Sequence, residues 1–222
     1  MKKESKKSTD RLIASLSVLC FTPVFLLLLR VSSSDSSRYL FMIWNLLLAI
    51  IPVFLAWWLV ERLKKHRWSH SKQLLLTAGW LLFLPNSFYL VTDFIHLRQT
   101  FEASLLFDVV LFTSFAVSGL IIGYISLFLV HNELSKRLLQ KQAWVIVGLI
   151  FLASSFAIYL GRFSRWNTWD ILLKPTGLLF DVSDRFLNPD MHLQTYETTL
   201  IFFVLLFPVY WVIWESIHYL KK

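Results

Sequence analysis

Six runs of roughly 17 or more mostly apolar residues, at 12–29, 39–60, 74–91, 105–130, 143–160 and 198–214, take up most of this chain. A globule of 222 residues cannot bury all six inside itself, whereas each matches the length of helix that crosses a bilayer. The sequence therefore predicts an all-α, polytopic membrane helix bundle of about six transmembrane helices. Composition agrees: 56% of residues are hydrophobic, 17% are aromatic, and the mean hydropathy is +0.59.

Orientation follows from the lysines and arginines beside the spans. With the N-terminus in the cytoplasm, fifteen fall on inside segments (among them Lys2, Lys3, Arg62, Lys72, Lys136, Lys221 and Lys222). Seven fall outside: Arg30, Arg38, Arg98, Arg162, Arg165, Lys174 and Arg185. Both termini are thus expected in the cytoplasm. Residues 1–11 read as a basic cytoplasmic tail and 12–214 as one six-helix transmembrane domain with a longer extracytoplasmic loop at 161–197. Residues 215–222 read as a second cytoplasmic tail. The first run reads as an uncleaved helix, since no small-residue cleavage site follows it. The net charge of +8 is explained by topology and anionic headgroups, and no basic helix outside the spans suggests nucleic acid. Cys20 is the sole cysteine, which excludes an internal disulfide and any multi-cysteine metal site. His66, His70, His131 and His218, on the cytoplasmic side, read as solvated interface histidines.

Polar residues gather at the outside ends. In the third span, Pro85 removes a backbone donor and is expected to kink or open the helix there. If the α-helix resumes, Asn86, Tyr89, Asp93 and His96 share one arc leading out of the membrane. Asp93 and His96 could act as base and oriented imidazole, or offer two ligands to a divalent metal, a cofactor that nothing else here favours. Equally, a proline in a membrane helix is often structural, and an aspartate beyond a span often caps it.

After the fifth span comes Gly161-Arg-Phe-Ser-Arg-Trp-Asn-Thr-Trp-Asp170. Arg162 and Arg165 suit a carboxylate or phosphate, and Trp166 and Trp169 can stack on a sugar or sit at headgroup level. Asn167 and Asp170 add hydrogen-bonding groups. An ordinary interfacial belt would use the same residues. Asp108 opens the fourth span on that side, where it could pair with Arg162 or Arg165, or join Asp93 as a second carboxylate. Between 171 and 197, Leu178, Leu179, Phe180, Val182, Phe186 and Leu187 suggest a segment lying on the membrane surface.

The segments Phe83-Leu-Pro-Asn-Ser-Phe-Tyr-Leu-Val-Thr-Asp-Phe-Ile-His-Leu97 and Gly161–Asp170 together resemble the bacterial membrane proteins grouped as DUF1361. The resemblance covers most of the chain beyond the first span. It implies a multi-pass protein of a bacterial cytoplasmic membrane, and it assigns no activity and no catalytic residues.

Three functions remain open. One is a binding or catalytic site for a lipid headgroup, glycan or phosphate-bearing ligand. Its catalytic candidates are Asp93, His96 and Asp108, and its ligand-binding candidates are Asn86, Tyr89, Arg162, Arg165, Trp166, Asn167, Trp169 and Asp170. The second is a scaffold with a membrane-protein partner, in which the polar cluster locks helices. The third is a transporter, which the lack of ionisable groups at the span centres disfavours. No G-x-S-x-G, Walker or H-E-x-x-H motif narrows the chemistry.

Overall fold

The computed structural model describes residues 2–34, 37–97 and 104–220, without the side chains of residues 2–8 and 34. Arg98, Lys221 and Lys222, counted above for orientation, lie outside the described residues, as do the side chains of Lys2, Lys3, Lys6 and Lys7.

The chain is all-α: α1 (Lys2–Ser34), α2 (Phe41–Leu63), α3 (Ser71–Tyr89), a 3₁₀ segment (Leu90–His96), α4 (Leu105–Ser135), α5 (Gln140–Arg162), α6 (Asp170–Leu173), α7 (Pro175–Leu187), a short 3₁₀ turn (Pro189–His192) and α8 (Leu193–Tyr219). Six of these segments are long and apolar enough to cross a membrane, at Thr9–Ser33, Phe41–Leu63, Ser71–His96, Leu105–Ser135, Gln140–Arg162 and Pro189–Tyr219. Their outward-facing leucines, valines and phenylalanines are exposed, as lipid-facing side chains must be. This is a multi-pass membrane protein.

Two features differ in detail from the sequence reading. α3 runs on through Pro85 in α-helical form, and the change of geometry comes after Tyr89, where the 3₁₀ segment begins. The 161–197 stretch is largely helical, and α8 starts before the apolar run itself.

The chain gathers into two compact units, with the divisions at Ile51/Pro52, Pro85/Asn86 and Gly123/Tyr124. In the first unit (1–51 and 86–123), α4 comes very close to the end of α3. A Cβ on Gly119 would stand 2.3 Å from the Ser87 carbonyl oxygen, and one on Gly123 would stand 2.6 Å from the Phe88 ring. Two glycines four apart let helix backbones meet at this distance, where dispersion replaces a hydrophobic drive that lipid does not supply. Ser118 also donates to the Leu19 carbonyl at 3.0 Å, tying α4 to α1.

In the second unit (52–85 and 124–222), α5 and α8 meet along aromatic rings. Phe151 lies 5.9 Å from Phe207 and 5.4 Å from Tyr210, and Trp144 lies 5.9 Å from Trp214. From α4, Tyr124 donates to the Leu206 carbonyl at 3.1 Å, and Ser126 accepts from the Trp80 indole of α3 at 2.7 Å. Large rings need few, well-defined rotamers to fill such an interface.

His131 requires a correction. It is fully buried, with its ring stacked on Trp214 at 3.6 Å and Nδ1 2.9 Å from the Tyr210 hydroxyl. The apolar run ends at 130, but α4 continues to Ser135, which keeps His131 inside the helix and facing α8. His66 and His70 are exposed, and His218 is half-buried with Nδ1 2.8 Å from the Trp214 carbonyl oxygen.

Candidate functional site

The expected site residues divide between the units. Asn86, Tyr89, Asp93, His96 and Asp108 belong to the first, and Arg162–Asp170 to the second.

In the first unit, α2 presents Phe41, Asn45 and Ala49 at four-residue spacing, which is one helix face. His96 meets the first, its ring 5.1 Å edge-on from Phe41. Asp93 meets the second, its Oδ2 accepting from Asn45 Nδ2 at 3.0 Å. Ser87 meets the third, its hydroxyl donating to the Ala49 carbonyl at 2.7 Å. The tighter 3₁₀ turn sets Asp93 and His96 one above the other, three residues apart. Their environments nonetheless differ: Asp93 is fully buried and His96 is exposed. Asn86 and Tyr89, a turn earlier, are half-buried.

Asp108 pairs with Arg30 of α1, whose Nε donates to Oδ1 at 2.8 Å, and the side chains are 1% and 3% exposed. The Arg30 guanidinium also lies 5.9 Å from the Tyr39 ring, which meets Phe112 edge-on at 5.0 Å. A buried cation and anion so placed satisfy one another, and this pair joins α1 to α4. Asn45 and Arg30 carry this arrangement, and neither is among the candidates drawn from the sequence. The signal for Asn45 was present, an amide inside an apolar run. Arg30 was counted only for topology.

In the second unit, the turn after α5 is closed by Phe163 N–H to Tyr159 at 2.9 Å and Trp166 N–H to Leu160 at 3.1 Å. Arg165, between them, is exposed with φ 59°, a left-handed conformation that helix ends usually give to glycine. Asp170 is buried and accepts from the Asn167 backbone N–H at 2.8 Å and side-chain amide at 3.2 Å. These two residues hold the start of α6. Arg162 is half-buried in the last turn of α5, and Trp169 is exposed.

Pro175, whose ring suits the first position of a helix, opens α7. Asp181, Asp184 and Arg185 fall at i, i+3 and i+4 and so share a face of α7, while Leu179, Phe186 and Leu187 are exposed. Between this polar face, the end of α5 and the start of α8 lies a wide, open cleft of about 750 Å³. Tyr159, Phe163, Ser164 and Trp166 line it from α5 and the following turn, Phe180, Asp181, Asp184 and Arg185 from α7, and Gln194 from α8. Gly177 allows the close approach, since a Cβ there would stand 3.2 Å from the Trp166 ring.

Arg185 is 7% exposed and densely held. One Nη donates to the Asp181 carboxylate, the other to the Ser164 hydroxyl at 2.9 Å, and the guanidinium lies 5.4 Å from the Tyr159 ring. Burial disfavours its charge, but Asp181 and Tyr159 outweigh that and hold its pKa above the ordinary value. Its Nε is buried with no hydrogen-bond partner among the described residues. The Trp166 indole donates to the other Asp181 oxygen at 2.6 Å. Asp184 takes a 2.7 Å bond from Asn188 and lies 2.7 Å from His192 Nε2. Those partners, His192 first, hold its carboxyl below the usual range. Of the sequence candidates, Trp166 lines this cleft. Arg185 and Gln194 were missed because they sit in a stretch that reads only as an amphipathic surface segment.

Among the described residues, no three His, Cys, Asp or Glu side chains come together as a metal site. A family model described as a protein of unknown function, DUF1361, matches residues 44–212, from α2 into α8. Among curated proteins and among solved structures, nothing matches the chain.

Proposed function

Because the chain belongs to the DUF1361 family, whose description carries no activity, we propose a function from its own geometry: a membrane-bound binding protein that takes a polar headgroup or glycan in the α5–α7–α8 cleft. The observation that carries this reading is Arg185, a nearly buried cation that lines an open cleft and keeps one donor unspent. A buried donor without an acceptor is costly, and such costs concentrate where a ligand completes the bonding. Trp166 and Tyr159 supply the aromatic surface that headgroup sites use. The lysine and arginine bias favours a cleft that opens away from the cytoplasm, and the family resemblance implies a bacterial cytoplasmic membrane.

The first unit supports a second role for its own residues. The Arg30–Asp108 pair is buried and the Asn45–Asp93 bond part-buried between helices, which suits locking of helices better than acid–base chemistry.

Delipidated protein, unfolded thermally with and without total bacterial polar lipid, tests the binding reading. The wild-type midpoint should rise with lipid, and Arg185→Gln and Trp166→Ala should lose that rise. A wild-type midpoint indifferent to lipid contradicts it.

A further inference from the structure

The cleft's own charges and surfaces point to a narrower class of ligand, and the inference rests on the binding reading above. We propose that the cleft takes a neutral glycosyl group, borne by a lipid or free, in preference to a phosphoryl group.

Charge comes first. The lining holds two carboxylates, Asp181 and Asp184, against one guanidinium, and Asp181 already occupies the guanidinium of Arg185. Asp184 is 52% exposed, so an incoming phosphate would face an uncovered carboxylate and not a free cation. The same groups suit hydroxyls. A carboxylate has lone pairs enough to accept from a hydroxyl beside His192 and Asn188, and the exposed Gln194 amide both donates and accepts.

Sugar rings also present a flat face of C–H groups. Phe163, 42% exposed, stacks on Tyr159 at 5.3 Å with the ring planes 25° apart, giving a broad aromatic wall in the cleft. The unpartnered Nε of Arg185 is the independent sign that the bonding is incomplete without a ligand. A neutral ligand that combines hydroxyls with an apolar face matches this lining on each count.

The test uses the full chain purified in a zwitterionic detergent, so that no sugar detergent fills the cleft. Calorimetric titration with glucose and N-acetylglucosamine, and nanodiscs with or without glucosyl diacylglycerol, are set against inorganic phosphate and phosphatidylglycerol. Binding of the sugars or of the glucosyl lipid is expected, weakened about tenfold or more by Asp184→Asn and by Gln194→Leu. A response to the glucosyl lipid alone identifies the lipid-borne source, and a response to both identifies the glycosyl group itself. Arg185-dependent binding of phosphate or phosphatidylglycerol, without a sugar response, overturns the glycosyl assignment and leaves the binding reading standing. Silence to every probe overturns both.

Discussion

Arg30 and Asp108 form a 2.8 Å ion pair between α1 and α4, with both side chains almost wholly out of solvent. Removing one member of such a pair strands the other charge, whereas removing both relieves that penalty. Arg30→Met should therefore destabilise the protein by about 3–5 kcal/mol. Arg30→Met combined with Asp108→Leu should recover most of that loss. Chemical unfolding in detergent measures both, and a double variant as unstable as the single one contradicts the account.

Gly119 and Gly148 give opposite expectations for the same substitution. A Cβ at Gly119 would collide with the Ser87 carbonyl oxygen at 2.3 Å, which is backbone and cannot swing aside. Gly119→Ala should cost about 1–3 kcal/mol through overpacking. At Gly148, inside α5, nothing lies within 4 Å of the added carbon. Gly148→Ala should stabilise the protein by up to about 1 kcal/mol through helix propensity. Thermal unfolding of the two variants side by side checks the contrast.

Arg165 adopts a backbone conformation that costs an ordinary residue about 1–2 kcal/mol. Arg165→Gly should leave the thermal midpoint unchanged or raise it. If the arginine serves the neighbouring cleft, the same variant weakens headgroup binding, so stability and binding move apart. A lower midpoint would show that the side chain holds the turn.

Asp184 makes the junction of α7 and α8 sensitive to acid. Its carboxyl is held below the usual range, chiefly by His192 and then by Asn188. A depressed pKa gives stability that is present above the unfolded value and is lost as the pH falls through the folded one. Protection factors over residues 184–196, with the intrinsic pH dependence of amide exchange divided out, should fall as the pH drops through the carboxylate range. Asp184→Asn should flatten that dependence.

The spans were legible in the sequence because a membrane helix must be apolar along its whole length, so each carries its own signal. What joins them is not local. Asn45 finds Asp93 48 residues away, and Arg30 finds Asp108 78 residues away, and no spacing rule announces either partner. His131 was misread for a related reason: polar neighbours after residue 130 mimic a solvated end, while α4 continues under Trp214. In the candidate cleft, Trp166 stood out in a dense motif. Arg185 did not, because an arginine on an amphipathic stretch looks the same whether it faces water or Ser164.

Ligand binding in the α5–α7–α8 cleft can be read from hydrogen–deuterium exchange of the protein in nanodiscs. Nanodiscs of total bacterial polar lipid are compared with nanodiscs of pure phosphatidylcholine. Exchange at 159–166 and 177–194 should be slower in native lipid, with no slowing there in Arg185→Gln. Identical exchange in the two lipids across both segments would contradict ligand binding there.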